Sequence, residues 1–325
     1  MVKASRRPVS GVLLFDKATG LSSNQALQQI KRLYRAEKTG HTGTLDPLAS
    51  GLLPLMFGEA TKFAADLIDA DKTYEATVRL GFVSTTGDAE GQIEPVEGAD
   101  PAKLTEKEVR GVCQQFLGEV AQTPPMFSAL KKDGKPLYEY ARQGIELERA
   151  ERTIAIHRLD VMFLKHHACG TELFTELGIE VCCSKGTYVR TLAEDLAKAL
   201  GTGGYLTALR RTAIGGLHTG QALGVDQLQS MDGQFDRLDA VLKPVDSLLT
   251  SLPAMLLQLD LAKRFLHGQR LALPPAGETP GRVRVYAVQN NMTQGGQPTF
   301  LGTGNLETDG KGALLRPERL IQVTL

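Results

Sequence analysis

The chain has 325 residues, with 37 basic and 37 acidic side chains, so its formal charge of zero argues neither for nor against an acidic partner. That length exceeds the size at which one core usually stops growing, which favours a large domain plus a small one. No apolar run approaches the roughly 18 to 20 residues of a membrane-crossing helix, and the basic residues 1–7 are not followed by a signal-type apolar segment, so a cytoplasmic protein without a membrane partner is expected.

Charge is unevenly spread. Residues 1–40 hold eight Lys or Arg against two acids, and residues 84–119 hold eight acids against three bases. One basic face for a polyanion and plain uneven solvation both fit that pattern. The cysteines (Cys113, Cys169, Cys182, Cys183) form no Cys-x-x-Cys pair, which suits reduced packing residues and suggests no metal site.

In chain order, residues 10–16 predict a short buried strand, followed by the turn Lys17-Ala-Thr-Gly20 and Ser22 or Ser23 as a helix N-cap. Ala26, Leu27, Ile30, Leu33 and Tyr34 recur at helical spacing, while Lys31, Arg32, Arg35 and Lys38 gather near the C-terminal end, where they complement the helix dipole and suit phosphate. The stretch from His41 to Leu55 then sets one carboxylate, Asp46, in a glycine- and proline-punctuated loop: polar His41, Thr42 and Thr44 before it, apolar Leu48, Leu52, Leu53 and Leu55 after it. An Asp-Pro turn is the bland reading; a functional loop mounted on buried structure is the sharper one.

Thr61 to Asp69 predicts a short helix carrying Lys62, and Thr73 to Leu80 alternates strictly, a half-buried strand with Tyr74 on its apolar side. Residues 84–102 suit an acidic loop, and Thr105-x-x-Glu108 a capping box before a helix closed by Gly118. Residues 123–152 combine three prolines with Lys131, Lys132 and Lys135 and aromatic Phe127, Tyr138 and Tyr140. Taken alone they suit a solvated loop followed by one amphipathic helix. Ile179 to Cys183 predicts a buried strand leading through Tyr188 and Arg190 into a helix stopped by Gly201. Residues 206–212, with Leu209, are basic beside an apolar patch; 220–250 suit connecting helices; short β-like pieces follow from about Leu252.

The string Gly-His-Thr-Gly-Thr-Leu-Asp-Pro-Leu-Ala-Ser-Gly-Leu-Leu-Pro, residues 40–54, resembles the active-site motif of the TruB family of tRNA pseudouridine-55 synthases. The resemblance implies an α+β pseudouridine synthase fold, with a mixed, largely antiparallel central sheet flanked by helices. It implies a catalytic domain over 1–250, an RNA-closing insertion at 123–152, and a small β-rich PUA-like domain over 251–325. It further implies a monomer that flips and isomerises uridine 55 in the T-arm of tRNA with no metal or cofactor. Asp46 would be the nucleophile, Arg190 its ion-pair partner, Tyr74 the ring stacked on the flipped uracil, and His41 the occupant of the vacated space. Lys17, Lys62, Tyr188 and Leu209 would line or neighbour the pocket. The family turn Asp-Lys-Pro-x-Gly departs here to Asp16-Lys17-Ala18-Thr19-Gly20, without the stiffening proline.

Residue types alone leave alternatives: a surface ion pair for Arg190, a loop histidine for His41, a core aromatic for Tyr74. A purely RNA-binding protein is one rival function. A two-carboxylate hydrolase is another, with Asp66, Asp69 or Asp71 as the partner of Asp46.

Overall fold

The computed structural model describes residues 5–169, 172–274, 280–288, 297–308 and 312–325; residues 1–4 of the basic N-terminal run and the side chain of Cys169 lie outside the described set. The first 218 residues supply β1 (Gly11–Lys17), α1 (Ser23–Leu33), β2 (Thr39–His41), β3 (Ala49–Phe57), β4 (Lys72–Leu80), α2 (Glu106–Gln115), β5 (Gly118–Gln122), β6 (Arg152–Cys169), β7 (Glu172–Cys183), α3 (Val189–Ala199) and β8 (Gly204–Ile214). The strands form one sheet in the order β1-β3-β8-β4-β7-β6-β5, with β2 hung on β3. The β3–β8 pairing is parallel and the other pairings in this sheet are antiparallel. This is the mixed, largely antiparallel α+β sheet expected.

β1 up to Phe15 and β3 from Leu52 are apolar because both of their faces are covered. On one side Leu13, Phe15, Leu53, Leu55 and Phe57 pack on Ala26, Leu27 and Ile30 of α1. On the other, Val12, Leu14, Leu52 and Met56 meet Phe63, Leu67, Leu248 and Leu249. Each fully buried Leu or Ile contributes about 1.5–3 kcal/mol over its exposed state. Thr105 caps α2 in a box with Glu108, as its spacing predicts, and Ser22 rather than Ser23 caps α1, in a box with Gln25.

Three local expectations change. The Thr61–Asp69 helix is a 3-10 helix over Gly58–Leu67, burying Ala60, Phe63 and Leu67. Gly118 does not close α2, which ends at Gln115; with φ +89° it opens β5. Residues 84–102 are not all loop: Phe82–Ser84 pairs with Ile93–Pro95.

A second sheet holds β9 (Ala254–Gln258), β10 (Leu271–Leu273), β11 (Gly281–Val288), β12 (Thr299–Thr308) and β13 (Ala313–Leu320) in the order β9-β11-β12-β13-β10. Its core includes Ala262 and Phe265 of a helix, Leu259–Leu266, that the β-like composition concealed. The sheet docks on two 3-10 helices: Phe300 lies 5.7 Å from Phe63 of the first, Arg282 grips Asp66 of the first while holding Glu318 of its own sheet, and the Tyr286 hydroxyl donates at 2.6 Å to Asp246 of the second, Val245–Leu249. Among the described residues no helix is long and apolar enough to cross a membrane.

Candidate active site

Asp46 lies in the loop between β2 and β3, and the turn after β1 grips that loop on both flanks. The Gly20 N–H donates to the Pro47 carbonyl at 2.8 Å. The Ser23 hydroxyl, 1% exposed, accepts from the Leu45 N–H at 2.8 Å and donates to the Leu45 carbonyl at 3.0 Å. The turn is itself stapled, because the fully buried Lys17 ammonium donates to the carbonyls of Ala18 (2.9 Å) and Leu21 (2.6 Å). These hydrogen bonds stiffen a turn that contains no proline.

From below, Arg211 of β8, 1% exposed, donates to the carbonyls of Gly43 (2.7 Å) and Leu52 (2.9 Å). Gly51 must be glycine: its φ is +99°, and a Cβ there would stand 2.2 Å from the Arg211 carbonyl oxygen. Residues 206–212 therefore supply a buried arginine rather than a wholly surface basic patch.

Arg190, the second residue of α3, pairs with Asp46 at 3.0 Å and with Asp88 at 3.5 Å. Its guanidinium also donates to the carbonyls of Thr86 (3.1 Å) and Phe127 (2.7 Å). With its side chain 8% exposed, it is no ordinary surface pair. Asp88 is buried and accepts from the Thr86 hydroxyl at 2.6 Å and the Glu90 N–H at 3.1 Å.

Two cavities meet at Asp46. The inner one, about 170 Å³, is walled by Ala49, Tyr74, Tyr188 and Leu209. The outer one, about 500 Å³, is walled by Ser22, His41, Asp88, Glu90, Phe127, Tyr138 and Arg142. Leu209 takes its place because β8 runs between β3 and β4, opposite Ala49 and Ala76. Tyr188 is held through its backbone by the side-chain amide of buried Gln122, which donates to the Tyr188 carbonyl at 3.1 Å and accepts from its N–H at 2.8 Å.

Burial pushes the Asp46 carboxyl above the ordinary aspartate value; Arg190 opposes the rise, Asp88 adds to it and Lys17 opposes it. Even so, its side chain keeps 45% of its surface accessible, open to the cavities. Burial pushes the Lys17 ammonium down to about 8, with Asp46 and Glu90 resisting. Burial, then Arg211, lower His41, so its imidazole is neutral at pH 7; its buried Nδ1 has no hydrogen-bond partner. Burial raises the Tyr74 phenol while Arg211 pulls it down, and the ring stays protonated at neutral pH.

The predicted residues thus divide. Asp46, Arg190, Tyr74, Tyr188, Leu209 and His41 share the two cavities; Lys17 lies under the loop and lines neither. Lys62 is a correction: its ammonium bonds Glu59 at 2.7 Å and the Leu320 carbonyl at 2.8 Å, because the 3-10 helix turns it towards the second sheet. Asp66, Asp69 and Asp71 are likewise away from the cavities, paired with Arg282, Lys185 and His157. The insertion is more than a solvated loop, since Phe127, Ser128, Tyr138 and Arg142 wall the outer cavity; Lys131 and Lys132 form an exposed hairpin around the left-handed Asp133-Gly134 turn. Sequence reasoning missed Asp88, Ser23, Gln122 and Arg211. Only Asp88 carries a local signal, the short Thr86-Gly87-Asp88 turn.

Three family models match in succession: the TruB family pseudouridylate synthase N-terminal domain over 31–189, the tRNA pseudouridylate synthase B C-terminal domain over 190–250, and the pseudouridine synthase II TruB C-terminal domain over 253–321. A tRNA pseudouridine synthase B of Burkholderia mallei is 50% identical, over 98% of this chain and 96% of the relative. One of Ralstonia pickettii is 49% identical, over 99% of this chain and 97% of the relative. Two solved structures share the fold at TM-score 0.67. One is an archaeal box H/ACA Nop10–Cbf5 complex (22% identity; 96% of this chain, 86% of that one), the other an H/ACA particle bound to a substrate RNA (21% identity; 96% and 85%). The chain belongs to the TruB family of pseudouridine synthases, which are isomerases.

Proposed function

We propose that this chain converts uridine 55 in the T-arm of tRNA to pseudouridine, flipping the base out of the loop and using Asp46 as the catalytic carboxylate. The observation that carries this is the position of Asp46: a partly open carboxylate at the meeting of two cavities, held by a buried arginine. Isomerisation breaks the bond from ribose carbon-1′ to N1 and forms one to carbon-5; carbon-5 loses a proton and N1 gains one, so nothing is consumed. Attack on carbon-1′, attack on carbon-6 and glycal-forming elimination all begin from the ionised carboxylate, which Arg190 favours.

The inner cavity takes the uracil between Tyr74 and Leu209. Tyr74 supplies the stacking wall. Extrusion of a stacked base costs a few kcal/mol. Neutral His41 offsets it by filling the vacated stack, an interaction worth about 1–3 kcal/mol. Residues 1–250 form the catalytic unit, 123–152 the element that closes on RNA, and 251–325 a PUA-like unit that adds affinity; the protein acts as a cytoplasmic monomer.

A hydrolase needs a second carboxylate beside Asp46: Asp88 is tied to Arg190, the Thr86 hydroxyl and the Glu90 N–H, which leaves Glu90 of the outer cavity as its candidate, and free uracil as product would mark that reading. Incubation with unmodified tRNA, followed by mapping, tests the proposal: pseudouridine at position 55 alone is expected, whereas free uracil or modification elsewhere overturns it.

A further inference from the structure

Six residues line both cavities: Thr44, Leu45, Asp46, Ser128, Ala129 and Arg190. They form the throat through which a nucleotide must pass. Of their polar side chains, Arg190 is spent on two carboxylates and two carbonyls, and Thr44 is exposed. Ser128 differs from both. The residue is 5% exposed, and its hydroxyl is buried without a hydrogen-bond partner.

The backbone fixes it there. Its N–H donates to the Met126 carbonyl at 2.9 Å, its carbonyl accepts from the Tyr138 N–H at 3.1 Å, and its neighbour Phe127 is bonded to Arg190. A buried hydroxyl with no partner lowers stability, and at a throat a group of the substrate can supply that partner.

We propose that the Ser128 hydroxyl is a substrate contact, hydrogen-bonded to the ribose 2′-hydroxyl of the nucleotide whose base enters the inner cavity. This rests on the reading of Asp46 as the catalytic group. With the base between Tyr74 and Leu209 and Asp46 within reach of carbon-1′, the sugar occupies the throat, and the 2′-hydroxyl stands one carbon from the reacting one. A phosphate is the poorer occupant, because the Asp46 and Asp88 carboxylates repel it. A serine hydroxyl donates and accepts, matching a ribose hydroxyl in either sense. The 2′-hydroxyl is also the group that separates RNA from DNA, so Ser128 makes the throat selective for a ribonucleotide.

The test measures binding of two T-arm stem-loops that differ only in a ribose or 2′-deoxyribose at the target uridine. The proteins are Asp46→Asn, which prevents turnover, with and without Ser128→Ala. Removing the 2′-hydroxyl is expected to weaken binding to the parent about 3- to 10-fold, as loss of one neutral hydrogen bond does. Ser128→Ala should weaken binding to the ribose RNA equally and leave the deoxy RNA unaffected. Without RNA its melting temperature should be unchanged or higher, since no intramolecular hydrogen bond is lost. Multiplying losses, unchanged affinity for the ribose RNA, or a fall of several degrees in melting temperature would each overturn the proposal. Should Asp46→Asn still make pseudouridine, the catalytic reading itself fails; should it be inactive while the losses multiply, only the Ser128 assignment does.

Discussion

Among the described residues Arg190 and Arg282, like the more exposed Arg158 on β6, each hold two carboxylates. Arg190 holds Asp46 and Asp88 with its side chain 8% exposed; Arg282 holds Asp66 and Glu318 at 29%. Around Arg282 the charges close a seam between the 3-10 helix and the second sheet, beside the apolar contact of Phe63 with Phe300. Around Arg190 one carboxylate is buried and the other opens into a cavity. The same pattern of charge docks two parts in one place and holds a reactive group in the other. What separates them is whether space is left beside a carboxylate whose ionisation burial opposes.

Breaking the Arg190 cluster should have the larger effect. Arg190→Met leaves Asp88 buried without its cation, costing about 3 kcal/mol of stability, and should slow single-turnover isomerisation by about a thousandfold or more. Denaturant melts and rapid-quench assays read the two effects separately. The acid limb of the pH–rate profile should also rise in this variant, because the guanidinium that holds the Asp46 carboxyl down is gone. A variant that folds and turns over near the wild-type rate would reduce Arg190 to scaffolding.

Asp88→Asn sharpens the comparison. It removes a like charge that raises Asp46, so its acid limb should move down, opposite to that of Arg190→Met. The orientation of Arg190 loosens at the same time, and a rate loss of about 10- to 100-fold is expected. Acid limbs that move together would refute this electrostatic account.

Arg282→Met should have the smallest effect, about 1 kcal/mol of stability, as for a partly exposed ion pair. Single-turnover rate at saturating enzyme should stay within twofold while the apparent dissociation constant for tRNA rises. A collapse of the saturated rate would mean that docking of the second sheet shapes the cavity.

The local pieces were legible in the sequence: the capping box of α2, the N-cap of α1, the buried β1, the apolar run that becomes β3, the strand with Tyr74, and the loop that sets Asp46 apart. β6 was not. Its buried residues run Ile154, Ile156, Leu159 and Val161, and bulges at Ile156/Arg158 and Val161/Phe163 shift the alternation that period-two reading depends on. Asp88, Ser23, Arg211 and Gln122 went unassigned for another reason: each acts on a residue far along the chain that only folding brings near. Lys62 was misplaced because a matching position gives no side-chain direction, and here that direction is towards Leu320.

The central claim, that the Asp46 carboxylate performs the chemistry, is tested most directly by single-turnover assay of Asp46→Asn on unmodified tRNA, with bound fraction measured in the same samples. A rate enhancement of about a millionfold corresponds to about 8 kcal/mol of barrier lowering, which loss of the reacting group removes. The account predicts no pseudouridine above background, with a dissociation constant within about threefold of wild type. Product formed by the bound Asp46→Asn complex at near the wild-type rate would contradict it.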